Sequence, residues 1–443
     1  MNDFTKPTSY IKYLKYLMPS VLTMIFLSFY TTIDGFFVSK YTGSDALAGI
    51  NIVIPIACLI FGTAVMLATG GSAMIGEHLG RGKKERADVI FTMVAKALLI
   101  YSIVFTIIGV VFLRPISVFL GASERLMEHV LPYGLIVFVG TIPMAFKLFF
   151  EYLVRTDGNP RLALKMSAVG IALNVVLDYL FVGVLDLGTF GAALGTFLSI
   201  SASALIGLVY FLRYSNLKFA KGSFEVPVLK KVCVNGIGEM FTELSTGITT
   251  LIFNLIIIRK FGEDGVAAVT IIMYIYYFFI ASYMGITVSS APIISYNIGA
   301  GNPAKIKETI RYSFYTIGLN ALLIMGVLLG LGDEIIGIFS GPGHVFDLTR
   351  IALNYFCPVF IFIGINVFVS GYFTAAEEGV IAAIISSLRS FVFVIIFVFL
   401  LPVFMGNNGV WAAMPVSELC TLLISLPVYF VKGRRIFRNC RVK

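Results

Sequence analysis

The chain has 443 residues, of which 58% are hydrophobic and only 13% charged, and its mean hydropathy is +0.94. A soluble domain carries about a quarter charged residues, so this composition excludes a soluble enzyme or binding module and requires an integral membrane protein. The formal net charge of +9 does not call for a nucleic-acid partner, because the basic residues sort by membrane topology and suit anionic lipid headgroups.

Short polar breaks divide the chain into apolar runs of about 20 residues, the length of a helix that crosses the hydrocarbon core. About twelve runs meet that criterion. In the first half they fall near residues 18–39, 46–74, 89–113, 130–154, 162–184 and 190–212. In the second they fall near 232–258, 266–296, 310–331, 351–376, 380–404 and 410–431. Transmembrane strands would instead alternate over about ten residues, so the predicted class is all-α and membrane-spanning.

The first run, LMPSVLTMIFLSFYTTIDGFFVSK, holds Asp34, with Tyr30 one helical turn before it and Pro19 near its start. A proline there kinks a helix and frees a carbonyl that can serve a cavity. No small-residue cleavage site accompanies the polar start, so this span is expected to stay in the mature protein. The fifth run, KMSAVGIALNVVLDYLFVGVL, holds Asp178, with Asn174 one turn earlier on the same face and Thr196 on the next run.

An ionisable side chain near mid-bilayer costs several kcal/mol unless it is paired, solvated or neutralised, and so points to ion or proton handling. Two carboxylates brought together do not both ionise cheaply; one stays protonated or binds a cation. The plainer alternative is that each aspartate is a hydrogen-bond partner in helix packing.

The seventh run carries Glu239 and Glu243, followed on much the same face by Gly247, Thr250 and Asn254, and the last run carries Glu418. Such a stripe either lines a water-filled cavity, binding cationic substrate or a second coupling ion, or forms an interhelical hydrogen-bond seam. Lys96, Lys147 and Arg389 are expected to snorkel to the interface, with Lys147 in reach of Glu151. The five cysteines and three histidines are scattered; no metal-ligand spacing, cofactor motif or paired nucleophile and base is evident, so an enzyme is not expected.

Lysine and arginine concentrate on alternate loops, roughly four to one, which places both termini in the cytoplasm. The basic linker RYSNLKFAKGSFEVPVLKK separates the runs six and six. The expected organisation is an amino-terminal lobe over 1–212, a cytoplasmic linker over 213–231, a carboxy-terminal lobe over 232–431 and a basic tail over 432–443.

The halves look duplicated. SKYTGSDALAG matches RKFGEDGVAA, HLGRGKKERA matches NIGAGNPAKI, EYLVRTDGNP matches GYFTAAEEGV and TFGAALG matches GVWAAMP, in the same order and at nearly constant separation. An even number of spans per copy gives both copies one orientation, around an axis along the membrane normal, with a cavity between them, as in carriers. Asn254 falls opposite Asp34, and the apolar FVFVIIFVFLLP falls opposite Asp178. The acid pair is thus confined to the first half, which suggests a specialised cation site there.

MPSVLTMIFLSFYTTIDGFFVSKYTGSDALAG, SYNIGAGN, LNVVLDYLFV and GAALGT resemble multidrug and toxic compound extrusion (MATE) transporters, in the bacterial branch with the DNA-damage-inducible F-type and staphylococcal-type exporters. The resemblance covers nearly the whole chain. It implies two six-helix lobes, export of organic cations or amphipathic drugs in exchange for H⁺ or Na⁺, and a bacterial plasma (inner) membrane location. It also implies a cation site at Asp34, Asn174, Asp178 and Thr196, able to take Na⁺, with Tyr30 nearby and a helix bend at Pro19. Glu243 does not align cleanly with the acid that some members use on the seventh helix.

A monomer in contact with membrane lipids, with no nucleic acid and no cofactor beyond the coupling ion, is expected. The competing function is a flippase for lipid-linked oligosaccharide or another lipid, from a branch of the same superfamily. Its anionic lipid phosphate would require basic residues in the cavity, whereas the basic residues here lie mostly in loops.

Overall fold

The computed structural model describes residues 4–6, 8–42, 44–433 and 436; the side chains of residues 29–40, 44, 45, 47 and 48 lie outside that description. The first half comprises α1 (Tyr10–Tyr41), α2 (Ser44–Gly80), α3 (Lys84–Val111), the short α4 (Leu113–Phe119), α5 (Glu124–Val139), α6 (Thr141–Thr156), α7 (Pro160–Asp178) and α8 (Gly188–Arg213). The second comprises α9 (Val226–Gly299), α10 (Pro303–Phe339), α11 (His344–Phe356), α12 (Val359–Ala375), α13 (Gly379–Ser387), α14 (Phe393–Met405) and α15 (Gly409–Val428).

Helices satisfy every backbone group within the segment, which hydrocarbon demands. Among the described residues, seven helical runs are long and apolar enough to span a membrane, or up to nine if each bent pair is one span. The full expected set is reached because α9 is broken at Gly262 (φ 67°), the run from α13 to α15 is broken at Gly406 (φ 62°), and α1 completes the first half. Both glycines adopt a left-handed backbone that other residues rarely tolerate. In α3, Ile100, Ile103, Val104, Ile107, Ile108 and Val111 are exposed while Ile90, Phe91, Val94 and Leu98 are buried, so one helix face meets lipid and the other the core.

The duplication is visible in local geometry. The fourth rod of each half is bent: α5 meets α6 at 47° across Gly140, and α11 meets α12 at 51° just before Val359. Asn159 and Asn302, which begin rods that do not correspond in the repeat, use the same local device: each caps a helix that begins with proline, accepting from Leu162 N at 3.3 Å and from Lys305 N at 3.1 Å. Gly82 and Gly301, one residue apart from Gly80 and Gly299 in each copy, take φ of 72° and 64°.

Each half has its own core, but that of the second half includes Phe4, Tyr13 and Leu17 from the start of the chain. Thr8 N donates to Glu308 Oε1 at 3.0 Å, Asn297 Nδ2 to the Phe4 carbonyl at 2.9 Å, and the Tyr13 hydroxyl bonds Ser290 at 2.9 Å and Ser313 at 2.6 Å. The polar opening segment therefore straps the first helix to the other half. Between Arg213 and Val226 the connection packs on α3, where Lys218 N donates to Asp88 at 2.9 Å and Arg86 reaches Glu225 at 2.7 Å.

On this linker side the halves meet backbone to backbone. A Cβ added to Gly80 would overlap the Tyr296 carbonyl, and one added to Gly299 would overlap the Glu77 carbonyl. Gly70 against Val232 and Gly236 against Met66 form a second reciprocal pair between α2 and α9. The glycines let helices approach more closely than any side chain allows.

Candidate functional site: a cavity between the halves

Away from the linker the halves diverge around a cavity of about 1440 Å³. From the first half it is walled by the outer part of α2 (Asn51, Cys58, Phe61) and by Met24, Tyr133, Lys147, Thr196 and Ser199. From the second half it is walled by Glu243, Thr250, Asn254, Tyr276, Arg389 and Glu418, among others. Of its lining residues, Ile338 is 78% exposed. Its wall is largely aromatic and aliphatic, with few charges, as suits amphipathic ligands held by burial rather than by a fixed hydrogen-bond pattern.

At the first-half wall, α7 and α8 bring Asn174 and Asp178, which lie behind it, together with Thr196, which is part of it. Asn174 and Asp178 are fully buried, and Asn174 Nδ2 donates to Thr196 Oγ1 at 3.4 Å. Gly195 makes the approach possible, since a Cβ there would collide with Asp178 Oδ1. Immediately after Asp178 the helix loosens into a π-helical turn, Tyr179–Val184, a deformation found often at functional sites.

Among the described residues Asn174 Oδ1 is buried with no hydrogen-bond donor, an arrangement that costs free energy unless something fills it. Amide, hydroxyl and carboxylate oxygens form a hard donor set that fits H⁺ or Na⁺. The side chains of Tyr30 and Asp34 lie outside the described residues; their helix, α1, packs against α7 and runs as one helix through Pro19, whose carbonyl accepts from Thr23 Oγ1 at 2.8 Å.

The second half is built differently. Arg389 lies within a π-helical turn, Leu388–Val392, on the rod that repeats α7, and its Nη1 is 3.4 Å from Glu418 Oε1. Asn366 Nδ2 donates to Glu418 Oε2 at 2.8 Å, and Ser425 donates to Asn366 Oδ1 at 2.7 Å. Arg389 and Glu418 are 7% and 2% exposed. The expectation that Arg389 and Lys147 snorkel to an interface is therefore corrected. Both are buried in the cavity wall and held by acids, Lys147 by Glu151 at 3.4 Å, while Lys96 is exposed.

Of the acidic stripe, Glu243, Thr250 and Asn254 reach the cavity, whereas Glu239 and Gly247 are not part of its wall. Glu239 instead faces Arg389. The Arg389–Glu418–Asn366 network was not visible as a unit in the sequence, because its members are scattered over three rods. Their one sequence signal is charge and amide inside apolar runs.

The MatE family model matches residues 19–180 and 240–400. The multidrug export protein MepA of Staphylococcus aureus (strain NCTC 8325 / PS 47) is 22% identical over 437 residues, covering 97% of this chain and 96% of its own. A crystal structure of a MATE protein in complex with MaL6 superposes with a TM-score of 0.92 at 20% identity, covering 99% of both chains. A multidrug resistance MATE family transporter of the MOP superfamily, in an outward-facing conformation, superposes at 0.91 with 20% identity, covering 99% of this chain and 98% of that one.

Proposed function

Because this chain belongs to the MatE family of membrane transporters, we propose that it is a secondary antiporter that exports amphipathic, cationic compounds in exchange for H⁺ or Na⁺. The observation that carries the reading is the pairing of one apolar cavity, with Glu243 and Thr196 in its wall, and the buried Asn174 and Asp178 next to Thr196 behind that wall. Glu243 supplies the attraction for an organic cation, and the aromatic wall supplies non-directional burial.

The coupling ion binds in the first half, at Asp178 with Asn174 and Thr196, joined by Asp34 and Tyr30 from α1. Occupation of that cluster and occupation of the cavity oppose one another, so the inward ion gradient drives the outward step. Pro19 gives α1 a place to bend between the two states. With the basic linker in the cytoplasm, the glycine-packed side is the closed cytoplasmic gate, the cavity opens outward, and the lobes divide near the linker. The protein then resides in a bacterial plasma membrane.

A lipid-phosphate substrate would need cations free to bind it, and the two cations in the described wall, Lys147 and Arg389, are each engaged by a carboxylate. That favours export of cations over lipid flipping. The test is efflux of an organic cation from reconstituted vesicles under separately imposed pH and Na⁺ gradients. Gradient-driven transport is expected in the wild type and not in Asp34→Asn or Asp178→Asn. Wild-type rates in both variants contradict the coupling site, and lipid scrambling without any cation transport favours the flippase.

A further inference from the structure

A second acidic site lies on the linker side, well away from Asp178. Glu377 stands in the loop between α12 and α13, in the position that Gly158 occupies in the first half. Gly158 N donates to the Arg155 carbonyl and Asn159 N to Val154, and in the same pattern Glu377 N donates to Thr374 and Glu378 N to Phe373. This pairs Glu377 with Gly158, one residue away from the match of EYLVRTDGNP with GYFTAAEEGV. Gly158 has φ of 82° and Glu377 φ of 59°. The first repeat thus meets a left-handed helix end with glycine, while the second holds a glutamate there against its steric preference. A strained residue of this kind marks a position where the side chain matters.

The side chain of Glu377 crosses to the other half and hydrogen-bonds the carboxyl of Glu77, near the end of α2. Glu77 is 7% exposed and is ion-paired with Arg81 one turn later. Among the described residues Glu377 Oε1 is buried with no N–H or hydroxyl donor. The other charges facing Glu377 are Arg81 from the end of α2 and Lys231 from α9. Its exposed neighbour Glu378 points to solvent, and the His78 ring is bonded to the Met74 carbonyl of its own helix.

Two carboxyl groups bond to each other only if one carries a proton. Glu77 is already ion-paired with Arg81, so the proton is assigned to Glu377, whose O–H donates to Glu77. This contact sits beside the Gly80–Tyr296 and Gly299–Glu77 backbone junction, where the halves touch.

We propose that Glu77 and Glu377 form a proton-binding site that bridges the two halves, in which one shared proton holds the linker side shut and its departure to solvent frees that side to open. Burial, followed by the hydrogen bond and charge of Glu77, pushes the Glu377 carboxyl up to about 8. Once the halves separate, Glu377 faces water and returns to the ordinary carboxylate range near 4.3. The closed state therefore binds the extra proton. Its advantage is complete below about 4.3, present at neutral pH, and lost as pH rises through about 8. Acid on the linker side arrests the transporter with its cavity facing away from it. This site goes beyond the coupling role assigned to Asp178, and its test reads opening of the gate rather than transport, so the two stand or fall separately.

The experiment uses the full chain in nanodiscs, with the native cysteines replaced and spin labels at Lys84→Cys and Lys307→Cys, two exposed positions on the linker side of opposite halves. Double electron–electron resonance reads the open and closed distances. The open-to-closed ratio is expected to rise about tenfold between pH 7 and pH 9, as release of one proton dictates. Glu377→Gln, whose amide donates to Glu77 without titrating, is expected to remain closed across that range. Glu377→Gly, which relieves the backbone and cannot bridge, is expected to fold and to lose the pH dependence. An unchanged wild-type distance, or either variant titrating as the wild type does, overturns the proposal.

Discussion

The two halves descend from one plan and handle buried charge in opposite ways. On the α7 rod of the first half, Asp178 is buried beside the neutral oxygens of Asn174 and Thr196, with Asn174 Oδ1 left undonated. On the matching rod of the second half, Arg389 is locked to Glu418, which Asn366 holds and Ser425 supports by bonding Asn366. An acid beside neutral oxygens has charge for an arriving cation to neutralise, whereas an internally neutralised pair has little to gain from one. The contrast teaches that the repeat preserved the helices and their loosened π-helical turns, while the chemistry inside them diverged into a proposed coupling site and a fixed ion pair.

That comparison can be broken most forcefully in the second half. Removing one member of a buried ion pair strands the other, at a cost of about 3–5 kcal/mol. Arg389→Gln is therefore expected to lower the melting temperature in detergent sharply, and Arg389→Gln with Glu418→Gln to recover most of the loss. An additive double variant would show that the two residues do not act as a pair.

In the first half the corresponding weak point is steric. Gly195→Ala pushes a methyl into Asp178 Oδ1, and overpacking of this kind costs about 1–3 kcal/mol. The variant is expected to melt lower and to lose ion-driven transport. Gly318→Ala, where a Cβ meets open space, is expected to change neither.

A smaller effect comes from the two matched helix ends. Gly158→Ala places a side chain on a left-handed backbone and is expected to destabilise by about 1 kcal/mol, while Glu377→Gly relieves the same strain and is expected to stabilise by about as much. Both are read as melting shifts at pH 9, where the shared proton is absent. Equal signs for the two would contradict the structural match of Gly158 with Glu377.

The smallest effect is expected at the linker. The hydrogen bond from Arg86 holds the half-exposed Glu225 carboxyl below its usual range. Its contribution is present above the ordinary carboxylate value near 4.3 and lost as pH falls below it. Glu225→Gln is expected to release the linker from α3, raising its hydrogen exchange relative to the wild type at pH 7, with the difference shrinking as the pH falls through the carboxylate range.

Much of the fold was legible because hydrocarbon imposes length and apolarity on each span. Gly82 and Gly301 likewise marked the repeat, since only their backbone freedom suits those turns. Hydropathy missed how far helices run past the apolar stretch. α1 begins at Tyr10 because Tyr13 bonds Ser290 and Ser313 in the other half, and α9 begins at Val226, through the basic Lys230 and Lys231 that read as linker.

Asn174, Asp178 and Thr196 could be grouped from sequence because helical periodicity and one short hairpin bring them together. Arg389, Glu418 and Asn366 could not, since only tertiary packing pairs rods so distant in the chain. Glu77 and Glu377 look like ordinary loop-side acids until the halves are placed against each other.

The central claim is that the Asp178 cluster binds an ion in competition with the exported cation. Equilibrium binding of a fluorescent organic cation to the purified protein, titrated against H⁺ and Na⁺ separately, tests it most directly, because coupling between two sites is reciprocal. In the wild type, affinity for the organic cation is expected to fall about tenfold as the coupling ion saturates, and in Asp178→Asn to be independent of both ions. Undiminished competition in Asp178→Asn, with Glu418→Gln abolishing it instead, would contradict the account and move the coupling site to the other half.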